Sequence, residues 1–316
     1  MNKKIIGSLL SFVLLLLLVI PQNASAAVWW DGVELKKGQI GRLTVLKQTD
    51  LYKWDGNNKT FARKLNAGET YRIYTFLPGK LGLGGGYYID RDTRVKYQTP
   101  SKEKLQALGV KVTNNKYQGL LDYPQVTGLV SKTAQDKINE AFKKHIRSSF
   151  NSYTQLEADE QEFRQDHLDE YGYPVPEDEE WMYSFDYEVY YEIKYNENNQ
   201  LSVLIYDYMY MGGAHGMSIV TSYNFDVLTG QRLYLGNVAK TSTALSKIKK
   251  YSITDLTNRA NRGESIFTEY LNEIEINNDR PFYFTSNGIA IKFGEYEVAP
   301  YSEGMPEVKI PYKVFR

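Results

Sequence analysis

His215 is the side chain best placed to do chemistry in this sequence. It is one of three histidines and lies in the segment 212–216 (Gly-Gly-Ala-His-Gly), directly after a tyrosine-rich run. Its glycine neighbours would leave the imidazole accessible as a base or ligand, or would form a tight bulge in which it bonds to a neighbouring strand. His145 is expected on a helix, one position off its apolar stripe, as a surface or boundary residue, and His167 lies among acids. Since no second histidine has metal-ligand spacing, a zinc site is disfavoured and no cofactor is expected.

Carboxylates are concentrated between residues 157 and 180, where 11 Asp and Glu accompany Arg164 alone, a net charge of −10. Paired carboxylates could act as the acid and base of a glycosidase, or a cluster could bind calcium. The segment has no regular Asp-x-Asp-x-Asp-Gly loop. It could also be solvated surface, or could attract a cationic partner. Its binding candidates are Glu177, Asp178, Glu179, Glu180 and Trp181.

Tyrosine is unusually frequent, with 27 residues grouped in short runs. Most are expected to be half-buried in strands, but some could form a stacking surface for sugars or an anchor in a protein interface. Tyr87 and Tyr88 are binding candidates of this kind. The glycines just before them, at 82 and 84–86, are not a nucleotide loop because no Gly-Lys-Ser/Thr follows.

The first 26 residues have the pattern of a secretory signal peptide. Lys3 and Lys4 precede an apolar stretch from 5 to 20, and small residues at 24–26 form a cleavage site. The alternative is an uncleaved anchor. No cysteine is present, which excludes disulfides, thiolate metal sites and a lipid-modified N-terminal cysteine. The sequence therefore predicts a secreted protein associated with the cell wall, with no membrane span after signal cleavage.

Residues 27–98 are predicted to form a small all-β domain. Short alternating runs such as 42–46, 70–74 and 86–89 are separated by turn residues. Their order resembles a bacterial SH3-like barrel, a resemblance that implies attachment to the wall. Between 28 and 98 there are 13 Lys and Arg against 7 Asp and Glu, a net of +6. This charge favours an anionic wall polymer as partner, and no nucleic acid partner is expected.

Residues 99–116 are assigned to a linker, and 117–316 to an α+β domain with an antiparallel sheet and helices. An amphipathic helix is predicted over 133–150, a second helix within the acidic segment, and further helices around 245–256 and over 264–274. Strands are predicted at 187–195, 201–210 and 219–226, with a final hairpin of 281–285 and 289–293. The tail 293–312, with three prolines and two glycines, is expected to be a fixed-shape loop that closes a sheet.

The C-terminal region also resembles a known family. Residues 121–129 (Leu-Asp-Tyr-Pro-Gln-Val-Thr-Gly-Leu) and 135–139 resemble the start of an extracytoplasmic region. It is shared by the lysozyme-sensing anti-sigma factor RsiV and by peptidoglycan deacetylases of the PdaC type. The segments 212–216 and 224–226 and the tail resemble its second half. The resemblance implies binding of lysozyme or contact with the wall. The family's membrane span and metal-dependent deacetylase domain are not expected in this chain.

Three functions therefore stand as hypotheses. The first is a non-enzymatic envelope protein that attaches through the SH3-like domain and binds lysozyme or peptidoglycan through the second domain. The second is a peptidoglycan-active hydrolase or deacetylase-related enzyme, in which His215 would act with nearby carboxylates. The third is a purely structural wall protein.

Overall fold

The computed structural model describes residues 27–55 and 58–316, so the predicted signal peptide at 1–26 lies outside the described residues. The α+β class is confirmed, because antiparallel sheets and a few helices make up the described chain. Within these two ranges, none of the helices combines the length and the apolar character that crossing a membrane requires.

Residues 29–98 form ten short strands around one small core. The strands make three antiparallel sheets, with the orders β1-β2, β10-β3-β6 and β5-β4-β9-β8-β7. Leu65, Ile73 and Leu81 are fully buried between them. The predicted strands are confirmed, whereas the SH3-like resemblance stays a prediction. The bounds are β1 Trp29–Trp30, β2 Val33–Glu34, β3 Gly41–Val45, β4 Thr49–Asp55, β5 Asn58–Leu65, β6 Thr70–Ile73, β7 Thr75–Leu77, β8 Lys80–Gly84, β9 Tyr87–Asp90 and β10 Val95–Gln98.

The segment assigned to a linker, 99–116, contains a short helix and most of a strand. The helix, α1 (Lys102–Ala107), is capped by the Ser101 side chain, which accepts a hydrogen bond from the Lys104 amide. The strand, β11 (Lys111–Tyr117), pairs in antiparallel register with β12 (Leu121–Thr127).

A single helix of 40 residues, α2 (Lys132–Tyr171), replaces the two helices predicted over this stretch. Its first half buries an apolar stripe that includes Ile138 and Phe142. Beyond Phe150 the helix continues with a mostly charged surface, where pairs one turn apart such as Arg164 with Glu160 support it. Gly172, with φ of 75°, ends it. The sequence suggested a break because the apolar stripe weakens there.

The centre of the domain is a sheet of β13 (Phe185–Glu197), β14 (Gln200–Met211), β15 (Met217–Asp226) and β16 (Gln231–Arg232), in that order. Asn198 and Asn199, both with positive φ, form the predicted turn between the first two strands. Successive side chains of β14 face opposite sides. Leu201, Val203 and Ile205 pack toward α2, while Leu204 and Tyr206 pack toward the second sheet.

The second sheet has the order β17-β18-β19, with β17 at Phe282–Thr285, β18 at Gly288–Lys292 and β19 at Glu307–Pro311. The tail closes it as expected, since β19 pairs with β18. Helices α4 (Leu235–Ala239) and α5 (Ser242–Asn261) pack on its outer face. The short helix α3 (Glu180–Tyr183) precedes β13. The helix predicted over 264–274 is wrong: only a single 3₁₀ turn forms, because the Phe267 amide bonds to the Val298 carbonyl at 2.8 Å.

Candidate binding site

His215 meets the C-terminal tail at an exposed aromatic cluster. Its ring stacks on Tyr301 with centroids 3.8 Å apart and an interplanar angle of 13°. Its Nδ1 lies 2.9 Å from the Gly216 carbonyl oxygen, which can only accept, so Nδ1 carries the proton. Nε2 is then free to accept from the Tyr296 hydroxyl at 3.0 Å. We call His215, Tyr296, Tyr301 and the adjacent Glu295 the tyrosine–histidine site.

Glycine is required on both sides of His215 by close backbone contacts. A Cβ at Gly216 would lie 2.5 Å from the Met209 carbonyl oxygen and 2.5 Å from the Tyr208 ring. A Cβ at Gly212, whose φ is +79°, would lie 2.4 Å from the Met182 carbonyl oxygen. The glycines therefore do form a tight connection, yet His215 itself remains exposed and faces the tail.

Glu295 holds a carboxylate beside the stacked rings. Its Oε2 accepts a hydrogen bond from the Ser218 amide at 3.0 Å, which fixes the side chain against β15. Desolvation and the negative charge of Glu295 raise the pKa of Tyr301. The aromatic surface continues to Tyr190, which stacks on Tyr206 with centroids 4.7 Å apart.

The acidic binding candidates lie next to the glycine segment. The Tyr210 hydroxyl lies 3.3 Å from the Trp181 carbonyl oxygen and 3.0 Å from that of Gly213. Trp181 is 56% exposed. Glu180 pairs with Arg164 at 2.7 Å, and Glu177, Asp178 and Glu179 form the turn just before it. The structure thus brings these predicted residues to the same end of the β14–β15 hairpin as His215.

Tyr87 and Tyr88 lie elsewhere, on β9 of the N-terminal unit. Tyr88 belongs to the outer face of the five-stranded sheet, where its ring stacks near Tyr52 at 6.5 Å. The Lys80 ammonium lies 3.4 Å from the centre of the Trp54 ring on this face and 5.7 Å from that of Tyr88. Lys80, Trp54 and Tyr88 form a second, cationic and aromatic surface above the buried Tyr52.

A buried polar network that the sequence did not reveal joins α2 to β14. His145 Nε2 lies 2.9 Å from one carboxylate oxygen of Asp207. The other oxygen accepts from the hydroxyls of Ser149 and, at 3.0 Å, Tyr187. Burial works to raise the pKa of Asp207, but these partners outweigh it and lower that pKa below its usual range. Burial and then Asp207 raise the pKa of Tyr187 to about 12. The only sequence signal was His145 and Ser149 at one-turn spacing on a helix.

His167, which sequence places among acids, is in fact buried among aromatic rings. Its Nδ1 lies 2.8 Å from the Tyr183 hydroxyl. The rings of Tyr171 and Tyr173 have their centres 4.8 and 5.5 Å from the imidazole. The acidic residues around it, Asp166, Asp169 and Glu170, are exposed. Across residues 27–55 and 58–316, no cluster of three or more His, Asp or Glu could hold a metal ion.

Comparison with known families gives two matches within the C-terminal region. Residues 110–218 match the model of Deacetylase PdaC. Residues 237–313 match a protein family of unknown function, DUF3298. These matches support the resemblance to the PdaC type, while the resemblance to RsiV stays a prediction. No curated protein sequence matches the chain significantly.

Two crystal structures of DUF3298 family proteins are also similar. The one from Bacteroides fragilis has 16% identity and a TM-score of 0.46, covering 65% of this chain and 89% of its own. The one from Pseudomonas aeruginosa has 14% identity and a TM-score of 0.39, covering 65% and 90%. The tyrosine–histidine site joins the two matched regions: His215 lies in the region similar to Deacetylase PdaC, and Tyr296 and Tyr301 lie in the region similar to DUF3298.

Proposed function

We propose that this chain is an extracytoplasmic cell-envelope binding protein whose tyrosine–histidine site holds a glycan strand of peptidoglycan. One observation carries the proposal: exposed His215 and half-buried Tyr301 form a nearly parallel stack beside the carboxylate of Glu295, which the Ser218 amide holds in place. A flat aromatic surface suits the apolar face of a sugar ring. A carboxylate is the strong acceptor that sugar hydroxyls need.

The family matches support a function at the cell envelope. Residues 110–218 are similar to a deacetylase family, and the sequence resemblance within it is to enzymes of peptidoglycan. The secretory pattern of residues 1–26 and the basic N-terminal unit favour export followed by retention on an anionic wall polymer. The N-terminal unit would hold the protein in place while the second domain engages its ligand.

Binding, rather than catalysis, is the role we propose for His215. Both ring nitrogens are already occupied, one by the Gly216 carbonyl and the other by the Tyr296 hydroxyl. An imidazole held in this way is a rigid part of a stacking surface rather than a free base. Incubation with purified peptidoglycan should leave the muropeptide profile unchanged, and new muropeptides would contradict this role.

The substitution Tyr301→Ala tests the glycan site directly. It removes half of the stacked surface, and we expect affinity for soluble peptidoglycan glycan to fall about tenfold, which is ~1.4 kcal/mol. Titration calorimetry measures the change. Tyr270→Ala is the control, because Tyr270 is 54% exposed and lies outside the site. Equal affinities for Tyr301→Ala and Tyr270→Ala would reject the site.

A cationic protein such as a lysozyme is the second candidate ligand. It is favoured by the acidic turn Glu177–Glu179, which adjoins the glycine segment and adds to the net negative charge of 157–180. Such charges mainly steer association, so binding should weaken steeply with salt.

The test is a triple variant of the acidic turn, Glu177→Gln, Asp178→Asn and Glu179→Gln. We expect it to associate with a basic lysozyme severalfold more slowly than the unaltered chain at low salt. The control is Glu269→Gln, Glu273→Gln and Glu275→Gln, which removes the same charge from another exposed surface. Surface plasmon resonance separates the two rates. No binding to lysozyme at low ionic strength, or equal effects of both triple variants, would reject this candidate.

A further inference from the structure

A line of side chains leads away from the tyrosine–histidine site along the face of the central sheet. Ser218, whose amide binds Glu295, lies two residues along β15 from Val220, which pairs with Tyr206. Desolvation first, and then the charges of Glu192 and Glu295, raise the pKa of Tyr190. Tyr190 stacks on Tyr206, whose hydroxyl is 3.5 Å from Glu192. Glu192 in turn contacts the Lys194 ammonium at 3.2 Å. From Tyr190 to Lys194 the line follows β13 for about 13 Å, at ~3.3 Å per residue.

The line ends in a cavity of about 730 Å³ between the end of β13 and the second sheet. The β17–β18 hairpin and β19 form one wall, and the N-terminal unit contributes Lys37. We call this space the lysine cavity, after its three lysines. Its lining includes Lys37, Lys194, Lys309, Tyr283, Glu197 and Glu307.

A β-bulge directs Lys194 into this space. The register between β13 and β14 shifts between Ile193 and Tyr195, which leaves Lys194 as the extra residue. Its ammonium lies 4.9 Å from the centre of the Tyr283 ring and 3.8 Å from the Glu307 carboxylate. The bulge therefore places a cation at the point where the aromatic line enters the cavity.

The lysines of the cavity keep spare capacity for an anion. Lys194 and Lys309 share one carboxylate, Glu307, each at 3.8 Å, and Lys37 lies 3.5 Å from Glu197. Glu192 also contacts Lys194, at 3.2 Å, so three carboxylates match the three ammonium groups. Each ammonium nevertheless has three hydrogen-bond donors, and these contacts are 3.2–3.8 Å long, so donors remain for the oxygens of a ligand. A carboxylate of a ligand could join Lys194 and Lys309 without displacing Glu307.

We propose that the bound glycan extends from the tyrosine–histidine site into the lysine cavity, where Lys194, Lys309 and Lys37 bind a carboxylate that the glycan carries. The ligand class is therefore an acidic glycan rather than a neutral one. This inference rests on the proposed function, because it requires that the first site holds a sugar.

Two soluble probes of equal length test the inference. The neutral probe is a hexamer of N-acetylglucosamine, and the acidic probe is a peptide-free peptidoglycan hexamer in which alternate sugars carry a lactyl carboxylate. The full chain should bind the acidic probe about fivefold more tightly at low salt. The double variant Lys37→Gln and Lys309→Gln should reduce this preference to less than about twofold and leave the affinity for the neutral probe unchanged. Both lysines are largely exposed, at 74% and 72%, so the fold should be retained.

The control variant is Lys143→Gln on the exposed face of α2, which removes a charge without touching the cavity. It should keep the preference for the acidic probe. Equal affinity of the unaltered chain for both probes, with both lost in Tyr301→Ala, would overturn the inference while the proposed glycan site stands. Weakening of both probes alike by the double lysine variant would also overturn it. Binding of neither probe would overturn the proposed function and the inference together.

Discussion

The N-terminal unit and the α+β domain surround their aromatic side chains in different ways. In the N-terminal unit the rings are covered by cations: Lys80 lies over Trp54 at 3.4 Å, and Lys59 over Tyr52 at 3.8 Å. At the tyrosine–histidine site of the α+β domain the rings instead stack on one another beside a carboxylate, as His215 does on Tyr301. An abundance of tyrosine therefore does not indicate one kind of ligand. A ring capped by ammonium groups suits an anionic polymer, whereas an open stack beside a carboxylate suits a sugar.

The two regions also have separate hydrophobic cores. The N-terminal core is built around Leu65, Ile73 and Leu81. The core below α2 is built around Ile138, Phe142 and the central sheet. Because the two clusters share no residue, we expect a substitution in one core to leave the other region folded. The following substitutions test that separation.

The largest effect is expected from Phe142→Ala. Phe142 is fully buried, with its ring centre 5.4 Å from that of Tyr223 and 5.5 Å from that of Phe225. Its loss should destabilise the α+β domain by about 3–5 kcal/mol. Circular dichroism follows the unfolding of this domain through the helical signal of α2. Tryptophan fluorescence follows mainly the unfolding of the N-terminal unit, because only Trp181 lies outside that unit.

The helical signal should therefore shift to lower urea while most of the fluorescence transition stays in place. Phe61→Ala, at a ring that is 59% exposed, is the control and should change stability by less than ~1 kcal/mol. Equal shifts of both signals in Phe142→Ala would show that the two cores unfold as one.

Asp207→Asn should have the next largest effect, again confined to the α+β domain. It removes the charge that Ser149, Tyr187 and His145 surround, and we expect a loss of about 2 kcal/mol near neutral pH. The pKa of Asp207 is lowered in the folded state, so its contribution is present above the unfolded value and disappears as pH falls through the folded value.

Urea denaturation between roughly pH 3 and 7 checks this sign. The difference between the unaltered chain and Asp207→Asn should be full at neutral pH and should shrink below about pH 4. A constant difference across that range would mean that the carboxylate charge does not stabilise the network.

The smallest effect is expected from Lys80→Gln in the N-terminal unit. Removal of the ammonium from the Trp54 and Tyr88 rings should weaken binding to an anionic wall polymer about two- to fourfold at low salt, or ~0.4–0.8 kcal/mol. Co-sedimentation with purified wall measures it, and high salt should abolish the difference. Lys143→Gln carries the same charge change on α2, and an equal effect there would refute a specific role for the cationic surface.

The regular parts of the fold were accessible to sequence reasoning because their signals are local. The alternating strands β13 to β15, the Asn198–Asn199 turn and the final hairpin were all predicted. The helix over 264–274 failed because the Phe267 amide bonds to Val298 in the tail, a partner that is distant in sequence. The continuity of α2 was missed since its second half relies on charged pairs rather than an apolar stripe.

The candidate site, too, could be predicted from sequence only in part. Sequence selected His215 and the acidic residues through their neighbours, and selected the tail as a fixed loop, but it could not join them. The sequence did not distinguish Asp207 from other strand residues, because its partners His145 and Ser149 reach it only through the packing of α2 on β14. The lysine cavity could not be predicted from sequence, because Lys37, Lys194 and Lys309 come from three separate parts of the chain.

Composition and periodicity were enough to predict the α+β class, most strands, and the opposite charges of 28–98 and 157–180, because these signals extend over a few residues at a time. The surface that joins the segment 212–216 to the tail, with His215 stacked on Tyr301, was visible only in the folded chain. This contact depends on how the two sheets pack and where the tail returns to β18, and no local pattern encodes that packing.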